Sequence, residues 1–221
     1  RLLFNETHTL NGNRMYKWND DRSLRLQAGY THDIIQQQRG NTQIYYQPTD
    51  TIQIDETYHY RLRSDAANLE LRYEDNSNRN YISNRFTMDG EINHGRSEEL
   101  RQTLRTSRLS AGNYFNLIRN RENSTWEFRS ATQYAYQPAS LLLEEGKSKF
   151  NQHSFYTDNS AAYLRKYNGF TQQYKAGIQG ERATMKYIPP TQPNDFNASN
   201  LSLYFNPYFQ LQRGKGLATL S

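Results

Sequence analysis

Short and long connections alternate along this chain, between runs in which apolar and polar residues alternate. Read as strands, the runs predict tight turns at Asn19–Arg22, Asp75–Asn80, Asn120–Asn123, Lys166–Gly169 and Arg213–Gly216. Long connections are predicted at Gln36–Tyr58, His94–Thr103, Gln137–Ser148 and Ala183–Ser199. In an up-and-down sheet, the tight turns then share one end and the long loops the other. This asymmetry is typical of a transmembrane β-barrel.

The composition fits a barrel wall better than a soluble domain. Mean hydropathy is −1.04 and apolar residues make up 35% of the chain, yet aromatic residues reach 14%. No stretch approaches the roughly 18 apolar residues that a membrane helix requires. In a barrel wall only every second residue meets lipid, so a strand with a fully apolar face still has a hydrophilic average.

The predicted fold is all-β: about ten antiparallel up-and-down strands of about 10 to 14 residues, long enough to cross a membrane when tilted. The alternation places the following residues toward lipid: Leu69, Leu71, Phe86, Met88, Leu109, Phe115, Ile178, Leu203 and Phe205. It places these toward the lumen: Glu70, Arg72, Arg85, Asp89, Glu91, Lys175 and Glu181.

Three segments fit this pattern poorly. Asn11 and Gly12 interrupt the run from Leu2 to Trp18, and Asp158–Ser160 is a bulge or a turn within the run from Phe150 to Tyr167. Pro207 lies within a strand, where it cannot donate a hydrogen bond to a neighbour.

Aromatic residues at both ends of one strand face indicate membrane interfaces. Trp126 and Phe128 lie about 27 Å from Tyr134 and Tyr136 in an extended strand. The apolar band of an outer-membrane barrel is about 25 Å tall and carries aromatic girdles at both edges. The spacing therefore predicts the two girdles.

The charge pattern limits the classes of partner, and the chain ends indicate how much of a domain is present. The net charge is +5, but 27 basic residues are interleaved with 22 acidic ones, which does not favour a nucleic-acid partner. The chain contains no cysteine, which is compatible with an oxidising compartment. It opens on Arg1 without a recognisable signal peptide and closes on Ser221. We expect residues 1–221 to be an internal fragment of one barrel domain.

Local strand sequences resemble those of TonB-dependent outer-membrane receptors, most closely the large receptors of Bacteroidota-type bacteria. The resemblance covers about residues 20–211 and depends on Asn80–Phe86 with Gly90 and Asn93, on Trp126–Ser130 with Tyr134 and Pro138, and on Lys175–Glu181. It implies a barrel of some twenty-two strands, a plug domain and an energy-coupling box that contacts TonB. Neither plug nor box is recognisable in this chain.

The resemblance further implies a location in the bacterial outer membrane, among lipid and lipopolysaccharide. The implied function is energy-coupled import of a large nutrient (a glycan, a peptide or a metal chelate), with a surface lipoprotein as a possible partner. No enzymatic activity, cofactor or metal is expected.

Individual site residues are not predicted. The carboxylates Asp89 and Glu91, and the pair Glu127 and Arg129, are expected to line a hydrated wall. The five histidines, His8, His32, His59, His94 and His153, lack metal-ligand spacing. Gly177 and Gly180 are expected to pack against aromatic rings. A ligand would be met at the loop rim, where the segment Gln36–Tyr58 contains Tyr45, Tyr46, Pro48, Asp50 and Asp55.

Two other folds remain open at this point. A soluble antiparallel sandwich would turn the apolar face inward as a binding or scaffold domain, although its turns usually come every 8 to 12 residues. A complete ten-stranded outer-membrane protease would need Asp and His to converge at the rim. Asp55 and His59 are the nearest candidates for that.

Overall fold

The computed structural model describes residues 2–46, 51–98, 101–143, 146–189, 194–213 and 216–220, and every element in them is a β-strand. The ten strands are β1 Leu2–Lys17, β2 Arg22–Tyr46, β3 Thr51–Ser77, β4 Asn80–Ser97, β5 Gln102–Arg121, β6 Ser124–Leu143, β7 Gly146–Tyr167, β8 Phe170–Ile188, β9 Asn194–Arg213 and β10 Gly216–Leu220. The described residues contain no helix long and apolar enough to cross a membrane.

The strands form one up-and-down sheet. Each strand pairs antiparallel with its neighbours in the chain, and the order runs from β1 to β10 without a crossover. The sheet is open, with β1 and β10 at its edges. The prediction of about ten antiparallel strands in one meander is thereby confirmed.

The connections β3–β4, β5–β6 and β7–β8 at the tight end are two-residue turns, whereas the β1–β2 connection has four residues, and all four bond sideways to the next hairpin. At Asn168-Gly169 both residues have positive φ, 43° and 79°, as the hairpin turns that match strand twist require. The Gly169 carbonyl accepts a hydrogen bond from the Gln212 amide at 2.8 Å. A Cβ at Gly169 would lie 2.4 Å from the Gln212 carbonyl oxygen. Glycine is therefore needed here for both conformation and space.

The long connections are mostly strand rather than loop, so their predicted extent is wrong. β2 continues to Tyr46 and β3 begins at Thr51, within the connection predicted at Gln36–Tyr58. Similar extensions shorten the other three connections. Beyond a membrane, polar side chains can continue a hydrogen-bonded ladder without an apolar face, so the alternation disappears before the strand ends.

The ambiguous segments are regular strands. β1 pairs with β2 through Asn11 and Gly12, with a register irregularity only between Leu2 and Phe4. In β7, Asp158–Ser160 pair in regular order with β6, so the predicted bulge or turn is wrong. Pro207 lies where the described part of β9 pairs only with β8, because β10 covers only Phe209–Arg213.

The sheet has two chemically distinct faces. Directly paired residues share a face, and the register puts every residue predicted to meet lipid on one face and every residue predicted to line the lumen on the other. We call these the apolar face and the polar face. The facing prediction is confirmed at this level.

Within the described residues, no hydrophobic core packs against either face of the sheet. Among the described residues only two apolar side chains are buried, Ala135 and Ala162, whereas Leu203 on the apolar face is 78% exposed. Both alanines lie on the polar face, as do the buried Ser110 and Ser160. Crowding on that face identifies it as the concave side. A single sheet with an exposed apolar face is incompatible with the sandwich alternative.

The strands are staggered. One row of paired residues joins Asp75 in β3 to Phe205 in β9. Asp75 lies two residues from the end of its strand, at Ser77, but Phe205 lies eight residues from the end of its own, at Arg213. Relative to a row of paired residues, the tight end thus moves by one residue from each strand to the next. One residue of about 3.3 Å per strand spacing of about 4.8 Å corresponds to a tilt of about 35°.

Candidate functional site: the polar face and the long-hairpin rim

The apolar face carries aromatic pairs near the tight end. The rings of Trp126 and Tyr163 lie 4.6 Å apart between centroids, and those of Trp18 and Tyr73 lie 6.2 Å apart. Toward the other end of β6, Tyr136 stacks on His153 at 4.5 Å. The two aromatic zones on β6 are therefore on one face, as the girdle prediction requires.

The polar face carries a row of arginines in direct register. Arg25 pairs with Arg72, and Arg72 pairs with Arg85. Arg72 donates to Glu74 at 2.6 Å, while its Nε is shielded from solvent without a partner among the described residues. Arg85 lies 4.7 Å over the ring of Tyr114. This lining is charged and polar, as expected for the inside of a barrel.

The paired charges singled out in the sequence belong to the same wall. Glu127 accepts from Arg129 at 2.6 Å, and Glu91 accepts from Asn93 at 2.7 Å. Asp89 and Glu91 border a hollow of about 410 Å³ on the polar face. None of these carboxylates is buried, and the geometry supports the predicted role of a hydrated wall.

The histidines are scattered over the apolar face instead of meeting at one point. His32 contacts Asp65 at 2.7 Å and stacks on His8 at 6.4 Å, and His8 contacts Glu6 at 2.7 Å. Within the described ranges, no group of three or more His, Asp or Glu side chains could hold a metal ion.

One of the two glycine predictions is confirmed. A Cβ at Gly177 would lie 2.3 Å from the ring of Tyr204, so this glycine accommodates the tyrosine. At Gly180 the nearest side chains are Leu201 and Thr157, so the predicted aromatic partner is wrong there. Gly95 repeats the first arrangement, because its Cβ would lie 2.4 Å from the hydroxyl of Tyr60.

A hollow of about 620 Å³ lies on the polar face toward the long hairpins. It is lined by Gln37, Arg39, Asn41, Tyr58, Tyr60, Gly95, Ser97, Gln102, Leu104 and Leu141. Aromatic rings, amides and one guanidinium meet here. Such a surface can stack on planar or ring-shaped groups and donate hydrogen bonds to hydroxyl or carboxylate oxygens.

The β2–β3 hairpin extends beyond this hollow and carries polar side-chain contacts, including one across the two strands and two within β3. Asp55 accepts from Thr42 at 2.7 Å and from Gln53 at 2.8 Å, and these bonds lower the pKa of Asp55. The Tyr58 hydroxyl donates to Glu56 at 2.6 Å, and this bond, with burial, raises the pKa of Tyr58. The hairpin is therefore an ordered rim element.

None of the described rim residues singled out in the sequence, Tyr45, Tyr46 and Asp55, lines the hollow, although Tyr58 at the end of the predicted loop does. Tyr45 donates to Gln43 at 2.7 Å, and Tyr46 is 82% exposed. Pro48 and Asp50 lie outside the described residues. Asp55 and His59 are four residues apart on one strand, about 13 Å, so they do not converge as a protease would require.

Sequence reasoning missed the arginine row and the rim hollow. Both depend on register: Arg25, Arg72 and Arg85 come from three strands, and Gln37, Tyr60 and Gln102 also come from three. The alternation contained a signal that could have predicted both. When the hairpins are aligned at their tight turns, the polar positions of neighbouring strands fall into rows.

Similar solved structures are outer-membrane receptors. The ferric yersiniabactin uptake receptor FyuA from Yersinia pestis superposes on 92% of this chain with a TM-score of 0.56 at 9% identity. The alcaligin receptor FauA from Bordetella pertussis and the ferric citrate transporter FecA both match at 0.49 and 8% identity, covering 95% and 96% of this chain and 39% and 40% of theirs. No protein-family model and no curated protein matches the sequence.

The FyuA likeness confirms the fold: this chain forms a wall of the kind found in outer-membrane receptor barrels. It spans only 35% of the FyuA chain. The likeness to receptors of Bacteroidota-type bacteria stays a prediction.

Proposed function

We propose that this chain is part of the barrel wall of a TonB-dependent receptor that imports a large nutrient across the bacterial outer membrane. The observation that carries the proposal is the single open sheet, with a convex apolar face and a concave polar face. Such a sheet is unstable in water but complete when lipid covers one face and a lumen lies on the other. The fold of FyuA, a receptor for a ferric chelate, supports the same conclusion.

The rest of the machinery lies outside this chain in the proposal. Residues 1–221 form part of one barrel domain of about twenty-two strands. A plug domain elsewhere in the parent protein contacts TonB, and a surface lipoprotein assists capture. The chain itself catalyses no reaction and needs no cofactor.

The hollow near Tyr58 and Tyr60 is the proposed place where the nutrient first meets this part of the wall. Its rings and amides suit a glycan, a peptide or a metal chelate. The arginine row of Arg25, Arg72 and Arg85 lies deeper on the same face and favours anionic groups during passage.

Cysteine labelling in intact cells tests membrane location and orientation together. The 221 residues contain no cysteine, so Tyr46→Cys at the long-hairpin end and Asn78→Cys at the tight end introduce single thiols in this part of the parent protein. A membrane-impermeant maleimide should label Tyr46→Cys in intact cells and label Asn78→Cys only after lysis. Recovery of the parent in the soluble fraction, or equal labelling of both sites in intact cells, contradicts the proposal.

Dependence on energy coupling is tested separately. Growth on the transported nutrient should require both the receptor gene and TonB. If a TonB-deficient strain grew equally well on the nutrient taken up by this receptor, the proposed energy coupling would be wrong, although the barrel fold would stand.

A further inference from the structure

Five basic residues form a compact patch on the apolar-face side of β3, β4 and β5, beyond the apolar residues. Arg63 pairs with His94, and His94 pairs with Arg105, so three basic side chains lie directly opposite one another. Arg61 pairs with Arg96 in the next row. All five residues are exposed. We call them the basic patch.

The basic patch is poorly neutralised by the protein. Arg63 donates to Asp65 at 3.2 Å, but that carboxylate also bonds to Tyr30 and His32, each at 2.7 Å. No ion pair to a described residue holds Arg61, Arg96 or Arg105. Like charges directly opposite each other across a sheet are destabilising. An anion placed among these side chains would remove that cost.

An apolar groove borders the basic patch on the same face. It has a volume of about 460 Å³ and is lined mainly by Tyr30, Ala67, Ile92, Leu109, Tyr136 and Pro138. Gly90 forms its floor, where a Cβ would meet only Leu109 Cδ1, at 4.0 Å. Ile92 and His94 lie two residues apart, about 7 Å along the strand. The groove thus passes directly into the basic patch.

We propose that the basic patch and the groove together bind an anionic lipid of the outer membrane. Its phosphate-bearing headgroup lies among Arg63, His94 and Arg105, and one acyl chain lies in the groove. The inference rests on the membrane location in the proposed function. Charge complementarity selects the occupant, because phosphate suits guanidinium donors and the surface of the groove is almost entirely apolar. The Asp65 carboxylate also lines the groove but is bonded to Arg63, Tyr30 and His32.

Lipid titration of the full-length receptor in neutral detergent tests the site. The probe is diphosphoryl lipid A, with inorganic phosphate as a separate arm. Arg63→Gln/Arg105→Gln should weaken lipid binding about tenfold or more. Arg63→Lys/Arg105→Lys, which keeps the charge, should retain most of the affinity. If the first variant fails to fold, Arg61→Gln/Arg96→Gln replaces it with the same direction expected.

The matched control is Arg85→Gln/Arg129→Gln, which removes the same charge from the polar face of nearby strands and leaves the basic patch and the groove unaltered. It should bind lipid as the wild type does, and inorganic phosphate should not compete at equal concentration. Equal weakening by both double variants, no weakening by either patch variant, or tight binding of phosphate alone would overturn the proposal. A receptor that inserts into bilayers but shows one of these results loses the lipid site only, whereas failure to insert contradicts the proposed function itself.

Discussion

Phe205, in the middle of the apolar stretch of β9, lies in the same row of paired residues as Arg22, the first residue of β2. The apolar band therefore runs obliquely to the hydrogen bonds. The row of paired residues through Met88 shows the same shift. It reaches Arg182 in β8, whereas Ile178, an apolar-face residue of that strand, lies four residues closer to the tight end. A membrane plane that follows the band requires tilted strands.

The first prediction is the tilt itself. Polarised infrared spectroscopy of the full-length receptor in oriented bilayers should give a strand tilt of about 35–45° from the membrane normal. Strands nearly parallel to the normal would contradict the stagger read from the register.

The second prediction concerns the Asn168-Gly169 turn. Gly169→Ala should destabilise the folded barrel by about 1–2 kcal/mol, because its φ of 79° disfavours a side chain. The new methyl would also press on the Gln212 carbonyl. Gly12→Ala is the control, since no atom lies within 4 Å of a Cβ at that position. Urea unfolding in lipid vesicles measures both, and similar losses for the two variants would count against the turn geometry.

Part of this architecture was readable from the sequence. The facing of Leu69 and Met88 followed from local alternation, and the ends of the alternating runs located the turn at Lys166–Gly169. The length of β2 and β3 was not readable, because residues such as Thr42 and Asp55 pair through polar contacts without an apolar face. The rows of basic residues were invisible for a different reason: they exist only once strands distant in sequence are set in register.

The third prediction concerns pH. Thr42 and Gln53 stabilise the ionised form of Asp55, so its pKa is lowered from the ordinary value of 3.8. Its contribution to the β2–β3 hairpin is present above pH 3.8 and is lost as the pH falls through the lowered pKa. NMR titration of the Asp55 carboxyl should show the lowered value, and Thr42→Val should raise it toward normal. An unchanged pKa in that variant would contradict the hydrogen-bonding cause.

The fourth prediction concerns Gly177 and Tyr204. Gly177→Ala should displace the ring of Tyr204, whose hydroxyl donates to Asp158 at 3.3 Å. We expect a loss of about 1–3 kcal/mol, typical of overpacking. Gly177→Ala combined with Tyr204→Ala should lose less than the sum of the two single variants, because the smaller partner leaves room. Additive losses in a double-mutant cycle would show that the two sites are independent.

The central claim is that one face of this sheet meets lipid and the other meets water, and Met88 and Thr87 test it most directly. Met88 pairs with Leu69 and Ala111 on the apolar face, whereas Thr87 pairs with Glu70 and Gly112 on the polar face. Folding titrations of the full-length receptor into lipid vesicles would measure the cost of an arginine at each position. Met88→Arg should cost about 2–4 kcal/mol near mid-bilayer, and Thr87→Arg should be nearly neutral. Equal costs at the two positions would contradict the membrane-wall account.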